Sequence, residues 1–417
     1  MEFQGFTLRE HQIRAIKFAT ERKFSLLNYW VGTGKTLIGG YLLSQAKNPV
    51  LIRMSGQADH WEKVFSNKEN TLTHALHSKN NSKRLNDFKD VDLVVVDECH
   101  KFKNPDSKSV QQFFNFLNKH SGVKVVYLTG TPMTIGLEDL CTYFIIASEL
   151  NNNIPKMKSA WDFKHTYLNC TIRTISVRGG KTTFREWGGL RAKYKDTFMH
   201  QLNTFMLSQD GEILNLPTSC YNMRVFQGSK FINPEYNFFV EQKQDEASVD
   251  PSTALRIEKL KQDIGKEKIY NDFKKVILLT KFIPTLEHLK NECSDLVYPT
   301  VIHGGTKNRE AHILSFKLSK KYKFMAGTYK TLGVGFNLQF TNALVLLDFP
   351  YTSSDLGQGL GRIRRTGQEK VCHYFSYLYK NTDARVVNKL MKRDKNFESI
   401  GTGYATEYLK NLNMQKG

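Results

Sequence analysis

Apolar positions recur with two different periods along this chain. In "FTLREHQIRAIKFATERK" (6–23), Leu8, Ile13, Ile16 and Phe18 return at helical spacing, which predicts an amphipathic helix with that stripe toward a core. The run Phe24 to Asn28 is apolar without interruption and short, the pattern of a buried strand. "TLIGGYLLSQA" (36–46) goes back to helix, and "NPVLIRM" (48–54), "DLVVVDE" (92–98) and "VKVVYLTGTP" (123–132) read as three further strands. Strands of this continuous kind, alternating with helices, predict a parallel sheet covered on both faces. A less regular stretch rich in lysine and asparagine fills about 151–215. The alternation restarts after Pro217 with "KKVILLTKF" (274–282), "KFMAGT" (323–328) and "NALVLLDFP" (342–350). The expectation is an α/β chain of two lobes, 1–216 and 217–417, joined near Leu216–Pro217. The first carries an insertion at about 151–215, the second a charged, helical one at about 229–270.

Composition narrows this picture. The chain has 417 residues, enough for two or three domains with their own cores. Apolar residues make up 40%, which excludes a disordered tail protein. Lysine and arginine number 60 against 40 acids, a formal charge of +20 that favours a polyanionic partner. The 12% of aromatic residues turns that preference toward nucleic acid. The six cysteines (Cys99, Cys141, Cys170, Cys220, Cys293, Cys372) form no C-x-x-C pair, so the pattern predicts buried free thiols in a reducing compartment rather than zinc. "MEFQGFTLREHQ" carries no secretory pattern and no apolar run suits a membrane span, which predicts a cytoplasmic or nucleoid-side location.

Two stretches carry chemistry. "LNYWVGTGKT" (27–36) places G-x-G-K-T between an apolar strand and a helix. Gly32 and Gly34 flank Thr33 and let backbone N–H groups approach phosphate oxygens. Lys35 supplies a point charge for β- and γ-phosphates, and the Thr36 hydroxyl is a ligand for Mg²⁺. Tyr29 stands where the full phosphate-loop pattern has its first glycine. "VVVDECHKFKN" (94–104) ends an apolar strand on Asp97 and Glu98, at the sheet edge where ligands bind in open α/β folds. Asp97 is the candidate to hold Mg²⁺ through water, and Glu98 to orient and deprotonate an attacking water. A nucleoside triphosphate site needs a further cation on the γ-phosphate. "QGLGRIRRTGQ" (358–368) offers Gln358, Arg362, Arg364 and Arg365; on a helix Arg362 and Arg365 would share a face, and a plain basic surface helix reads the same way.

Taken in order, these blocks resemble the superfamily II helicases and translocases, in their Swi/Snf-type branch. "LREHQ" (8–12) is similar to the adenine-reading Q motif, "GTGKT" to motif I, and "DECHKFKNPDSK" (97–108) to the D-E-A-H stretch with the K-N and S-K tail of that branch. "LTGTPM" (128–133), "TYKTLGVGFNLQ" (328–339) and "DFPYTSSDLGQGLGRIRRTGQ" (348–368) resemble motifs III, V and VI. The resemblance implies two tandem RecA-like lobes, ATP and Mg²⁺ as cofactors, and DNA gripped by its backbone. It implies Gln12 on the adenine, Gly335 at the nucleotide, His100 coupling the ATP site to motif III, and Gln358, Arg362 and Arg365 on the γ-phosphate. DNA contacts would come from Arg53, Gln57 and Thr131 in the first lobe. In the second they would come from the "HGGT" turn (His303, Gly304, Thr306) with Thr328 and Lys330. Cys99, Met54 and Tyr351 depart from the family's alanine, proline and tryptophan, and "MLSQDGEILNLP" (206–217) lacks the usual basic pair before the inter-lobe Leu-Pro. The compact, lysine- and asparagine-rich chain, without chromatin-reading appendages, suggests a phage- or virus-like member.

The implied activity is a DNA-stimulated ATPase that moves along DNA. Two alternatives stay open: strand separation at forks or branches against duplex tracking that displaces proteins, and an ATP-gated regulatory subunit in place of a motor. For strand separation, "TISVRGGKTTFREW" (174–187) has hairpin character, with β-prone runs around Gly179–Gly180 and with Phe184 and Trp187 nearby. An ordinary surface hairpin has the same pattern.

Overall fold

The computed structural model describes residues 1–120, 122–150, 154–177, 180–226, 251–332, 336–398, 405 and 407–410. Gly179, Gly333, Gly335 and the 229–250 part of the second insertion lie outside the described residues. The chain divides into two compact units, the first mainly Met1–Ile213 and the second mainly Leu214–Lys395.

The first unit begins with a small antiparallel pair, β1 (Glu2–Phe3) and β2 (Phe6–Thr7). Its main sheet is built from β3 (Phe24–Tyr29), β4 (Pro49–Arg53), β5 (Thr71–Thr73), β6 (Leu93–Asp97) and β7 (Lys124–Thr129). After the antiparallel pair β8 (Leu168–Val177) and β9 (Gly180–Leu190), β10 (Met206–Gln209) rejoins it at one edge. The order is β10-β3-β7-β6-β4-β5, and every neighbour in the sheet is parallel. Successive residues face opposite sides. Leu27, Val95, Val126 and Leu128 therefore meet the helices Glu10–Thr20 and Lys35–Gln45 on one face. Phe24 and Tyr127 meet Phe102, Phe113 and Phe205 on the other. Gly39 marks how tightly the second helix packs: a Cβ there would lie 2.7 Å from Trp61 and 2.9 Å from Leu128.

The second unit holds β11 (Ser219–Phe226), β12 (Val276–Thr280), β13 (Phe324–Thr328), β14 (Ala343–Leu346) and β15 (Cys372–Tyr379). They form a parallel sheet in the order β11-β15-β14-β12-β13. Ile277, Leu279, Leu344 and Leu346 fill one face; Val276, Leu278, Ala343 and Val345 fill the other. Each of these valines, leucines and isoleucines contributes roughly 1.5–3 kcal/mol through burial. The fold is α/β, with two RecA-like arrangements of parallel strands and flanking helices.

Several details differ from the expectation. β5, β10, β11 and β15 were not announced by apolar runs. The stretch 151–215 is not irregular: it contains helices Ala160–Tyr167 and Lys195–Phe205, the β8–β9 hairpin and β10. Of the second insertion, the described part is a helix, Pro251–Gly265. Cys170 is exposed and Cys220 partly so, whereas the other four thiols are buried.

Candidate nucleotide site and its relatives

β7 lies between β3 and β6, so the loops leaving their carboxyl ends converge at one sheet edge. The loop after β3 turns through two left-handed glycines, Gly32 (φ 89°) and Gly34 (φ 86°), a conformation that side chains with a Cβ rarely adopt. The Thr33 N–H and hydroxyl both donate to the Trp30 carbonyl, at 3.3 and 2.7 Å. Lys35 opens the following helix, and its Nζ donates to the carbonyls of Tyr29 (2.8 Å) and Trp30 (3.2 Å). Thr36 follows it on the same first turn, partly exposed. Gln12 reaches this loop from the first helix. Its Nε2 donates to the Thr33 carbonyl at 3.1 Å, and its Oε1 accepts the Arg9 N–H at 2.9 Å. His11 Nε2 lies 2.9 Å from the same Thr33 oxygen. A Cβ on Gly34 would stand 2.1 Å from Gln12 Nε2 and would push that amide off the Thr33 carbonyl, while the φ of 86° is what calls for glycine.

Asp97 closes β6 with 4% of its surface exposed. Its Oδ2 accepts the Trp61 indole N–H and its Oδ1 the Glu98 N–H, each at 2.9 Å. Burial, and then the Glu98 charge, push the Asp97 carboxyl up to about 6; the Trp61 bond and the Lys35 charge act against them. His74 Nε2 lies 2.7 Å from the Asp97 carbonyl oxygen. Burial lowers that imidazole to about 4, so at neutral pH it is the neutral ring and donates to the carbonyl. Glu98 has a left-handed backbone (φ 49°), unusual for a residue with a Cβ, which costs about 1–3 kcal/mol and redirects its side chain off the strand line. Its Oε2 comes within 3.2 Å of His100 Nδ1. The same ring nitrogen is 3.3 Å from Thr129 Oγ1 and 3.4 Å from Thr131 Oγ1. The acid at the end of β6 is thereby connected to the loop after β7.

A second connection joins those loops. Asp139 accepts the Thr134 N–H (2.7 Å), the Thr134 hydroxyl (2.9 Å) and the Ile135 N–H (2.9 Å). Lys103 lies 3.3 Å from the same carboxylate oxygen and also bonds the Thr134 hydroxyl. Asp97, Thr36 and the Gly32–Gly34 turn fit Mg²⁺ and a triphosphate: a buried carboxylate, a hydroxyl one residue after a lysine, and a glycine turn at a helix start.

In the second unit, helix Ser353–Leu360 buries Gln358. The expectation that Arg362 and Arg365 share a helical face is corrected: the helix ends at Leu360, where Gly357, Gly359 and Gly361 weaken it, and both arginines lie beyond. They are nevertheless brought together, each donating from Nη1 to the Phe336 carbonyl at 3.3 Å. Gln368 fixes the same turn by donating to the carbonyls of Gln339 (3.1 Å), Thr341 (2.9 Å) and Ile363 (3.1 Å). In the turn at 303–306, Thr306 Oγ1 accepts the His303 N–H at 3.0 Å, and Arg309 donates to the carbonyls of Thr306 and Gly304. Lys330 is exposed. Thr328 is buried, its hydroxyl 3.0 Å from that of Thr331; Thr131 in the first unit is buried too. Arg53 there donates to the Met54 carbonyl at 3.0 Å, and Gln57 lies in the turn after β4.

Comparison with known proteins fits both halves. The model of the SNF2-related domain matches residues 23–293, and that of the helicase conserved C-terminal domain matches 256–367. The first of these covers well over half of the sequence. The chain belongs to the SNF2-related family.

With it, the chain falls in the Swi/Snf-type branch of superfamily II and is an ATPase of the helicase class. Among its relatives is the uncharacterized ATP-dependent helicase YqhH of Bacillus subtilis, 22% identical over 93% of this chain and 78% of that protein. The DNA repair and recombination protein RAD54 of Saccharomyces cerevisiae is 23% identical over 70% of this chain, and the DNA repair protein rhp54 of Schizosaccharomyces pombe 22% identical over 75%. The chain spans only 38% and 42% of those two proteins. Within the SNF2-related unit, sequence reasoning missed Trp61, His74 and Asp139. Each lies outside the quoted motifs, and only the fold brings it to them.

Proposed function

We propose that this SNF2-related chain couples ATP hydrolysis to movement along DNA, remodelling duplex, forked or branched substrates in replication or recombination. The observation that carries the reading is the buried Asp97 at the end of β6 with the half-buried Glu98 beside it, linked through His100 to the loop after β7. In this reading Gln12 selects adenine. The N–H groups around Gly32, Thr33 and Gly34, with Lys35, neutralise the phosphates. Thr36 and Asp97 hold Mg²⁺, which when bound offsets phosphate charge. Glu98 orients the water and takes its proton. Gln358, Arg362 and Arg365 answer to the γ-phosphate, so hydrolysis depends on the second unit. Gly335 belongs to the same set by resemblance, outside the described residues.

Arg53, Gln57 and Thr131 on one unit, and His303, Gly304, Thr306, Thr328 and Lys330 on the other, grip the DNA backbone in turn. A grip on phosphates carries no base information, so binding is salt-dependent and without sequence specificity. The relatives named for DNA repair and recombination support that setting. A cytoplasmic or nucleoid location follows from the proposed substrate; among the described residues no helix is long and apolar enough to cross a membrane.

Lys35→Ala and Glu98→Gln are expected to abolish DNA-stimulated hydrolysis and leave DNA binding within about twofold, read by phosphate release and by anisotropy of a labelled duplex. Unaltered turnover in either variant would sink the site assignment. The β8–β9 hairpin favours one refinement, separation of strands by a projecting element. Deleting it should then spare hydrolysis and reduce strand release from a forked duplex. A regulatory subunit without turnover is disfavoured because Glu98, Arg362 and Arg365 are all retained.

A further inference from the structure

An aromatic and cationic cluster stands outside the motor motifs, where helix Ala160–Tyr167 meets the hairpin. Trp161 is 52% exposed. Its ring centroid lies 3.4 Å from that of His165 and 6.4 Å from that of Trp187, and His165 and Trp187 approach edge to face at 4.8 Å. The Arg185 guanidinium stands 4.9 Å from the Trp161 centroid. Strand register explains the assembly: Cys170 pairs with Trp187 and Ile172 with Arg185, so Trp187, Arg185 and Lys181 project from one face of the hairpin. The opposite face carries Phe184, 43% exposed, beside Arg173.

Neither face is covered over most of its length. Residues 171–174 and 181–186 are exposed throughout, so the hairpin's apolar side chains contribute little to the core. The charge around it has one sign: between Lys156 and Asp196 there are ten lysines and arginines against three acids, Asp162, Glu186 and Asp196. Of those acids, Glu186 pairs with Arg173 and Asp162 caps its own helix, so neither neutralises the platform. Exposed rings flanked by unopposed cations suit a ligand with flat π-faces and a phosphate backbone. A duplex keeps its base faces stacked inside; an unpaired strand presents them.

We propose that the surface formed by Trp161, His165, Trp187 and Arg185 binds unpaired DNA, stacking a base on the indole while Lys181 and Arg185 meet the phosphates. The assignment rests on DNA being the substrate, and it adds a single-strand site apart from the two backbone grips. It also touches the loops of its own unit. β9 packs against the turn Leu137–Leu140, and Asp139 in that turn holds Thr134 and Lys103. The hairpin thus lies one contact away from the loop that follows β7.

The test uses the full chain and an oligothymidylate of about twenty nucleotides, with a blunt duplex alongside. The native protein should show tryptophan quenching by the oligothymidylate. Trp161→Ala should lose most of that quenching and bind the oligonucleotide about tenfold more weakly, the worth of one stacked base. Its affinity for the duplex and its duplex-stimulated hydrolysis should stay within about twofold, which also shows that it folds. Trp161→Phe, which keeps a ring, should recover most of the affinity. Unchanged oligonucleotide affinity in Trp161→Ala would overturn the proposal. So would an equal loss on duplex and single strand, the behaviour of a general basic surface, or absence of quenching in the native protein, which would leave the platform to a protein partner. Absent ATP hydrolysis by the native chain, with these binding results intact, would instead count against the motor.

Discussion

Asp97 shows how much chemistry one position can concentrate. Its place at the end of an apolar strand, followed by a second acid, was legible in the sequence. Its environment was not: Trp61 and His74 lie 36 and 23 residues earlier, outside any local pattern. Burial and the neighbouring Glu98 push its carboxyl up to about 6, so between about pH 4 and 6 the folded chain holds a proton that an ordinary aspartate has released. A divalent cation competes with that proton. As pH falls through about 6 the protonated fraction grows and cation affinity drops; above about 7 the affinity is flat. Titration of Mg²⁺ with a non-hydrolysable ATP analogue should give roughly tenfold weaker binding at pH 5 than at pH 7, one decade per unit below the carboxyl's own value. Equal affinity at both would remove Asp97 from the ligand set.

At the scale of elements, what could be read depended on length and continuity. β3, β4, β6, β7, β12, β13 and β14 are runs of buried apolar residues, and they declared themselves. β5 has three residues and β10 four, too few to show a period. β15, "CHYFSYLY", mixes aromatic and polar residues and gains its burial only from neighbours on both sides. The hairpin was legible because β-prone runs flank a glycine pair. The arginine turn was misread as helix because the i, i+3 spacing was weighed without the glycines that end the helix before it. One element junction invites a direct test. Asp139 gathers bonds from Thr134 and Ile135 and the Lys103 charge in a buried position. Replacing it with alanine leaves those donors without their acceptor and should cost about 2–4 kcal/mol, seen as a lower midpoint in urea. A midpoint shift equivalent to less than about 0.5 kcal/mol would show that water replaces the carboxylate there.

On the scale of the whole molecule, the two parallel sheets and the family match agree on a helicase-class ATPase. Among the described residues, the blocks legible as motifs fall at strand ends, in turns and on the helices Glu10–Thr20 and Ser353–Leu360. What the blocks leave open is output: whether hydrolysis moves the protein along intact duplex. The most direct measurement is ATP-driven displacement of a triplex-forming third strand from a duplex, with Lys35→Ala as the control. The account predicts displacement by the native protein with ATP, none by Lys35→Ala, and none with a non-hydrolysable analogue. DNA-stimulated hydrolysis by the native protein with the third strand left in place would contradict movement along the duplex.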